Sequence, residues 1–321
     1  MSLKSGSFGI LLASLLAGMA ALIASGAVAA DPVGPEGDQA PGKAIWLEPH
    51  DLAEDAENAP RHMRLSLELF RLLAGEMDDV TFRVSGATPA RTRAMLEQRP
   101  NVCVGNRLKN AVRARYTVGT TLPQLVAPGL RLFLRRDAVS AMDASRPEAT
   151  ETVRLDALLR AHPGLTLGVP EGRFYGRPLD RLLADPPHPG QVWRVRTPDI
   201  NDSVVSLLHK GRFDGLLEYE NQFRFYSSPA ELARILPLKL EESPAFIPGY
   251  ILCSRTDTGR RLVAAFDRAI RTLSREHIFL AIHLRWWRHV DRAALVQFYN
   301  DTYGTAFSLP PGGNTGEPSA W

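Results

Sequence analysis

Hydrophobic and polar positions follow two rhythms along this chain. Short apolar runs bounded by Gly, Pro or charged residues occur at 44–47, 80–84, 102–104, 130–134, 165–169, 191–195, 213–217, 235–240 and 250–254, and each predicts a strand. Between them the period lengthens to that of a helix. In 61–73, Leu65, Leu69, Leu72 and Leu73 share one face, and Gly75 is placed to end the helix. Thr88 is an N-cap with Pro89 in the first turn, and that helix stops near Arg99-Pro100. Residues 155–159 read as helix, Gly172 and Gly176 bracket a turn into a helix reaching Leu183, and 199–209 turns Val204, Val205, Leu207 and Leu208 inward before Gly211. From Asp257 onward three helices follow. The first carries Leu262, Val263, Phe266, Ile270 and Leu273, the second Phe279, Ile282, Trp286 and Trp287, and the third spans 295–303. Strands alternating with helices predict an α/β fold with parallel, helix-covered sheet.

The alternation is interrupted twice. A polar stretch at 140–152 separates one α/β set from a second, and Pro248-Gly249 precedes a strand read as a return to the first. The expected organisation is a first unit at 31–136, a second inserted at 137–247, and the first resumed at 248–307, with a Pro/Gly-rich, disordered tail at 308–321. Two passes between units make a hinge, and the groove between them is the natural place to enclose a ligand. Residues 31–43 and 51–60 read as a flexible segment and a loop.

Composition narrows the class. With 321 residues, 45% apolar and 23% charged, two globular domains are affordable, and a net charge of +3 without a long basic block argues against nucleic acid. Residues 1–30 have the parts of a cleaved secretory signal peptide: Lys4, an apolar run at 8–23, and small residues at 25–30. An uncleaved membrane anchor is the competing reading. Export makes a disulfide between Cys103 and Cys253 permissible; two buried free thiols is the alternative.

The candidate chemistry centres on 101–123. The run 102–104 empties through Gly105, read as ending the strand, into a segment bearing Arg107, Lys109, Arg113 and Arg115, with Arg99 upstream. In open α/β sheets ligands lie outside the carboxyl ends of strands, where a guanidinium can hold a carboxylate by two parallel hydrogen bonds. A solvated basic loop is the plainer reading. Arg173, Tyr175 and Gly176 open a helix after a strand, where free N–H groups favour an anion, although an ordinary βα turn needs glycine just as much. Glu218 is a candidate ligand contact and Asp214 a structural residue. Trp46, beside Glu48 at the end of the first strand, faces either cleft or core. His50 and His62 lack metal-ligand spacing, and no nucleophile-elbow, zinc-protease or Walker motif is present, so neither catalysis nor a cofactor is expected.

Four segments carry a resemblance: the strand-turn-arginine stretch with Lys109, Asn110 and Arg113 leading to Leu122-Pro123; LTLGVPEGRFYG at 165–176; LLHKGRFDGLLEY at 207–219; and RWW at 285–287. In this order they resemble the periplasmic solute-binding proteins of family 3, the amino-acid-binding type. The resemblance implies a two-lobed type II periplasmic-binding fold with two hinge crossings, a monomer, and closure on a small carboxylated or anionic solute for an ABC-type permease or a sensor. Arg113 would clamp the carboxylate, with Arg107 and Arg115 as alternatives should the alignment slip. It also implies that the returning strand lies beside the strand of Cys103, which brings Cys253 within disulfide reach. The chain departs from the family pattern at Val112, at 118–121, and at Tyr219, which stands between Glu218 and Glu220 where the family holds a ligand ammonium. These departures put an amino-acid ligand in doubt and favour a rival reading, a sensory or assembly factor with a degenerate cleft.

Overall fold

A computed structural model describes residues 42–49, 65–142, 147–148, 151–171, 173–196, 200–287 and 290–309. The proposed signal peptide, His50, His62 and most of the C-terminal tail lie outside the described residues. The strands form two sheets. The first holds β1 (Lys43–Pro49), β2 (Thr81–Ala87), β3 (Val102–Arg107), β4 (Thr117–Gly119), β5 (Leu125–Pro128) and β12 (Phe246–Ser254), in the order β2-β1-β3-β12-β4 with β5 paired to β12. The second holds β6 (Arg131–Arg135), β7 (Thr152–Val153), β8 (Leu167–Pro170), β9 (Val192–Val195), β10 (Gly215–Glu218) and β11 (Ile235–Leu240), in the order β7-β11-β6-β10-β8-β9.

The central strands read as unbroken apolar runs because the first sheet is covered on both faces. On β1, Ala44 and Trp46 enter one core, and Ile45 and Leu47 enter another on the opposite face. The first core is closed by the helices Leu65–Ala74 and Asp257–Leu273, where Trp46 stacks on Phe70 at 4.0 Å between ring centroids and tilts against Phe266. The helix Pro89–Gln98 closes the other face through Leu96. It starts where its sequence says it should: the Thr88 hydroxyl accepts from the Arg91 N–H at 3.4 Å, with Pro89 in the first turn. Cys103 and Cys253 are opposed in the antiparallel β3–β12 pair and are disulfide-bonded, with Cα atoms 4.0 Å apart.

Two expectations require correction. The run 130–134 forms β6 and pairs with β10 and β11, so it belongs to the second sheet rather than closing the first. The chain therefore leaves the first sheet between Pro128 and Arg131, upstream of the 136/137 boundary read from the sequence, and returns between Leu240 and Phe246. The strands on either side of the polar stretch after 140, β6 and β7, both lie in the second sheet. The true crossings need little polarity because they satisfy one another: the Gly129 N–H donates to the Ala245 carbonyl at 2.9 Å. A Cβ on Gly129 would lie 1.9 Å from the Pro244 carbonyl oxygen, so glycine is what permits this approach. Gly105, in turn, does not end β3, which runs on to Arg107. The positive φ, 52°, belongs to Asn106. Gly105 is needed because a Cβ there would meet the Gln124 Oε1 at 2.3 Å and the Trp46 ring at 2.7 Å.

The C-terminal helices His277–Trp286 and Arg292–Tyr303, with Trp287 just after the first, hold β5 and the residues leading into it. The buried His283 accepts from the Val126 N–H through Nε2 at 3.2 Å, while its Nδ1 lies 2.8 Å from the Phe279 carbonyl. Trp287 Nε1 donates to the Val126 carbonyl at 2.9 Å, and the Tyr303 hydroxyl to the Pro123 carbonyl at 3.1 Å. Among the described residues, no helix is long and apolar enough to cross a membrane.

Candidate functional site

β1 and β3 are parallel and end at Pro49 and Arg107; β8 and β10 are parallel and end at Pro170 and Glu218. Segments leaving these carboxyl ends meet between the two sheets. The Arg113 guanidinium, from the segment after β3, stands 5.1 Å from the centroid of the Phe174 ring, from the loop after β8. The carboxyl ends of strands in α/β sheets are where a ligand meets exposed loop groups rather than buried ladder.

The basic segment is held in place by side chains that the sequence reading did not single out. Gln124 is fully buried; its Nε2 donates to the Ser66 carbonyl at 2.8 Å and its Oε1 accepts from the Asn106 N–H at 2.9 Å. Gln124 thus supports the left-handed residue immediately before Arg107. Asn110 Oδ1 accepts from the Arg113 N–H at 2.8 Å and so starts the 3-10 turn Arg113–Arg115. Arg113 Nη1 donates to the Leu108 carbonyl at 2.6 Å, and Tyr116 hydrogen-bonds the same side chain, so the guanidinium is anchored within its own segment. Lys109 lies over the Tyr250 ring at 3.9 Å, and Arg115 is exposed.

Arg107 and Arg113 are both half-buried, and neither donates to a carboxylate among the described residues. Burial is the main influence lowering the pKa of each. Arg107 falls to about 10, with repulsion from Arg113 adding to burial and Glu48 opposing both. Arg113 is supported by Tyr116, Tyr219 and Asp180. Among the described residues neither meets a carboxylate within hydrogen-bond distance.

On the opposite wall the charged groups pair with each other. Arg173 Nη1 donates to Glu218 Oε2 at 2.5 Å and Nη2 donates to Glu218 Oε1, forming a two-pronged pair. The two side chains are 14% and 2% exposed. Burial by itself would lower the Arg173 pKa, but Glu218 raises it well above the usual range. The Tyr175 and Tyr219 rings lie 5.3 and 5.5 Å from the same guanidinium. Tyr219 senses both walls: burial raises its pKa, Arg173 lowers it, and Arg113 and Arg107 across the groove lower it further. Burial also pushes up the Tyr175 hydroxyl, which has no hydrogen-bond partner among the described residues.

Gly176 has φ 103° and precedes the helix Arg177–Ala184. The chain supplies its own anion there, since Asp180 Oδ1 accepts from the Tyr175 N–H at 2.9 Å. Trp46 is fully buried, with its indole N–H donating to Glu48 at 2.6 Å, so it contributes to the core and offers no face to a ligand. Asp214 holds the Thr166 N–H and hydroxyl at 2.9 and 2.7 Å, a structural tie between β8 and β10. Glu220 pairs with Arg131 and Arg224. Phe174, Tyr219 and Gln124 are the site residues that sequence reasoning passed over. The signal for Tyr219 was present, as a departure from the family pattern. Among the described residues, no three His, Cys, Asp or Glu side chains are grouped to hold a metal ion.

No protein-family model matches the chain, and no curated protein matches it in sequence. Solved structures do match. A histidine kinase sensor domain with similarity to periplasmic binding proteins aligns with TM-score 0.54 and 19% identity over 76% of this chain and 95% of that one. The substrate-binding protein of an amino acid ABC transporter aligns with TM-score 0.53 and 11% identity over 77% of this chain and 99% of that one. An ancestral amino acid-binding protein, a precursor of cyclohexadienyl dehydratase, aligns with TM-score 0.53 and 11% identity over 77% and 95%. These likenesses, together with two mixed α/β sheets joined by a pair of crossings, identify the architecture as that of the type II periplasmic binding proteins.

Proposed function

We propose that this protein is an exported solute-binding protein that closes on a small carboxylate or other anion lacking an ammonium group, and that a membrane permease or a sensor reads the closed form. The observation that carries this reading is the pair Arg107 and Arg113, which stand at the groove without a hydrogen-bonded carboxylate among the described residues. An anion bridging this wall to Tyr219 would favour the closed arrangement by the contact energy it adds there. An ammonium group would meet Arg107 and Arg113 on one side and a carboxylate already engaged by Arg173 on the other. The signal-like N-terminus and the Cys103–Cys253 disulfide support delivery to the oxidising periplasm.

Calorimetric titration against monocarboxylates, dicarboxylates and the corresponding α-amino acids tests the proposal. Anions should bind more tightly than their amino counterparts, and Arg113→Ala should weaken binding by at least about 30-fold, the low end for unpairing a buried charge contact. Unchanged affinity in Arg113→Ala would remove that residue from the site.

A second reading draws on Phe174. Its ring already covers Arg113, as in a cleft that closes on itself. The protein would then be a periplasmic sensory or assembly factor. It would give no heat with any small molecule, and Phe174→Ala would expand it in solution scattering.

A further inference from the structure

The lobe-two wall has the makeup of a cation-binding site that is already filled. Glu218, 2% exposed in its side chain, offers both carboxylate oxygens in the plane of a guanidinium. The Tyr175 and Tyr219 rings stand 5.3 and 5.5 Å from the guanidinium carbon. A carboxylate with aromatic rings is the chemistry that recognises alkylammonium and guanidinium ligands. Here the occupant is Arg173, carried on the loop between β8 and the helix Arg177–Ala184. Two features set this apart from a surface ion pair. Glu218 is oriented independently of Arg173, since its Oε1 also accepts from the Tyr219 N–H at 2.7 Å. Phe174, between Arg173 and Tyr175 in the chain, has its ring 5.1 Å from the Arg113 guanidinium of the facing wall, so the cage borders the proposed ligand cleft.

We infer that Arg173 is a tethered pseudo-ligand and a specificity-determining residue: its guanidinium occupies a cation cage formed by Glu218, Tyr175 and Tyr219, so the cleft admits only ligands whose charge is negative. This deepens the proposed function and rests on it for the word ligand; the cage itself stands on the geometry alone. The arrangement accounts for the departure at Tyr219, because a chain that supplies its own cation has no use for another carboxylate there. It also predicts a latent activity: with the tether cut, the cage should accept a free guanidinium ion.

The test is chemical rescue of Arg173→Ala, read as the melting temperature in 20 mM guanidinium chloride, 20 mM urea or 20 mM sodium chloride, roughly two orders of magnitude below denaturing concentrations. Urea is the uncharged isostere and separates charge recognition from shape. Arg173→Ala should melt about 10 °C lower than the wild type, as expected for a buried carboxylate left unpaired. Guanidinium should restore about half of that loss or more, whereas urea and sodium should not. Arg173→Ala/Glu218→Gln, with no carboxylate to satisfy, should melt above Arg173→Ala and show no guanidinium response. If Arg173→Ala accumulates only as insoluble protein, its refolding yield in the same three solutes replaces the melting temperature, with the same sign.

Equal behaviour of Arg173→Ala in all three solutes would overturn the inference, as would a guanidinium response that survives Glu218→Gln. Failure of every anion to bind the wild type would overturn the proposed function and leave the cage standing. Conversely, wild-type binding of an amino acid as tightly as its deaminated analogue would overturn the specificity role even if anions bind.

Discussion

Replacing both Cys103 and Cys253 with alanine removes a cross-link whose ends are 150 residues apart. The loop it closes contains both crossings and the entire second sheet. For a loop of that length the chain-entropy estimate is about 5 kcal/mol, an upper value, because real denatured chains are already compact. A loss of about 2–4 kcal/mol is the expectation, equivalent to a fall of about 5–15 °C in melting temperature for a chain of this size. In urea the midpoint should drop by about 1–2 M, and the slope should steepen because the uncrosslinked chain exposes more surface when unfolded. The effect should also be regional. The bond joins β3 to β12 within the first sheet, and the second sheet can open inside the closed loop without stretching it. Hydrogen exchange should therefore accelerate for β3 and β12 amides far more than for β8 and β10. Both cysteines are fully buried, so reductant added to the folded wild type should not reproduce the variant. An unchanged midpoint and slope, or equal acceleration in both sheets, would refute the argument.

Three further outcomes are expected. Burial lowers the His283 pKa to about 4 from an ordinary 6.5, so the neutral ring that accepts from Val126 contributes stability above pH 6.5. That contribution, up to about 3 kcal/mol, should disappear as pH falls from 6.5 toward 4, and His283→Gln should flatten this stretch of a urea-midpoint profile. Gly129→Ala sets a methyl 1.9 Å from the Pro244 carbonyl oxygen, so the crossings must part. Denaturation should register roughly 2 kcal/mol or more, and a cost under 0.5 kcal/mol would contradict the close approach. Gln124→Ala removes the partner of the Asn106 N–H and of the Ser66 carbonyl, at about 1 kcal/mol for each part-buried bond. Because Asn106 precedes Arg107, the same change should weaken anion binding in calorimetry, whereas a merely structural Gln124 would leave affinity unaltered in the folded fraction.

Local signals account for what the sequence reading recovered. The strand Ile235–Leu240 and the helices beginning after Thr88 and Thr256 are marked by apolar runs and caps that act within a few residues. β4 and β7 escaped notice because strands of two or three residues carry too little periodicity and exist through their partners. The misplaced first crossing has a related cause. A polar stretch looks like a boundary, yet the crossing between Pro128 and Arg131 is made by backbone pairing with a segment more than 110 residues later, which no local window contains.

The sequence by itself determined the α/β class, the two-unit organisation, the cysteine pair as candidates for a bridge, and the basic segment after β3 as the place to look for a site. Patterning of apolar residues and the clustering of cations are local and survive without coordinates. Only the tertiary structure decided which of those charges meet a carboxylate among the described residues. It put Trp46 into the core, gave Glu218 to Arg173, set Asp180 at the turn before its helix, and brought Arg113 against the Phe174 ring. Pairing depends on distance and burial across segments remote in the chain, and those quantities come into being only when the two sheets face each other.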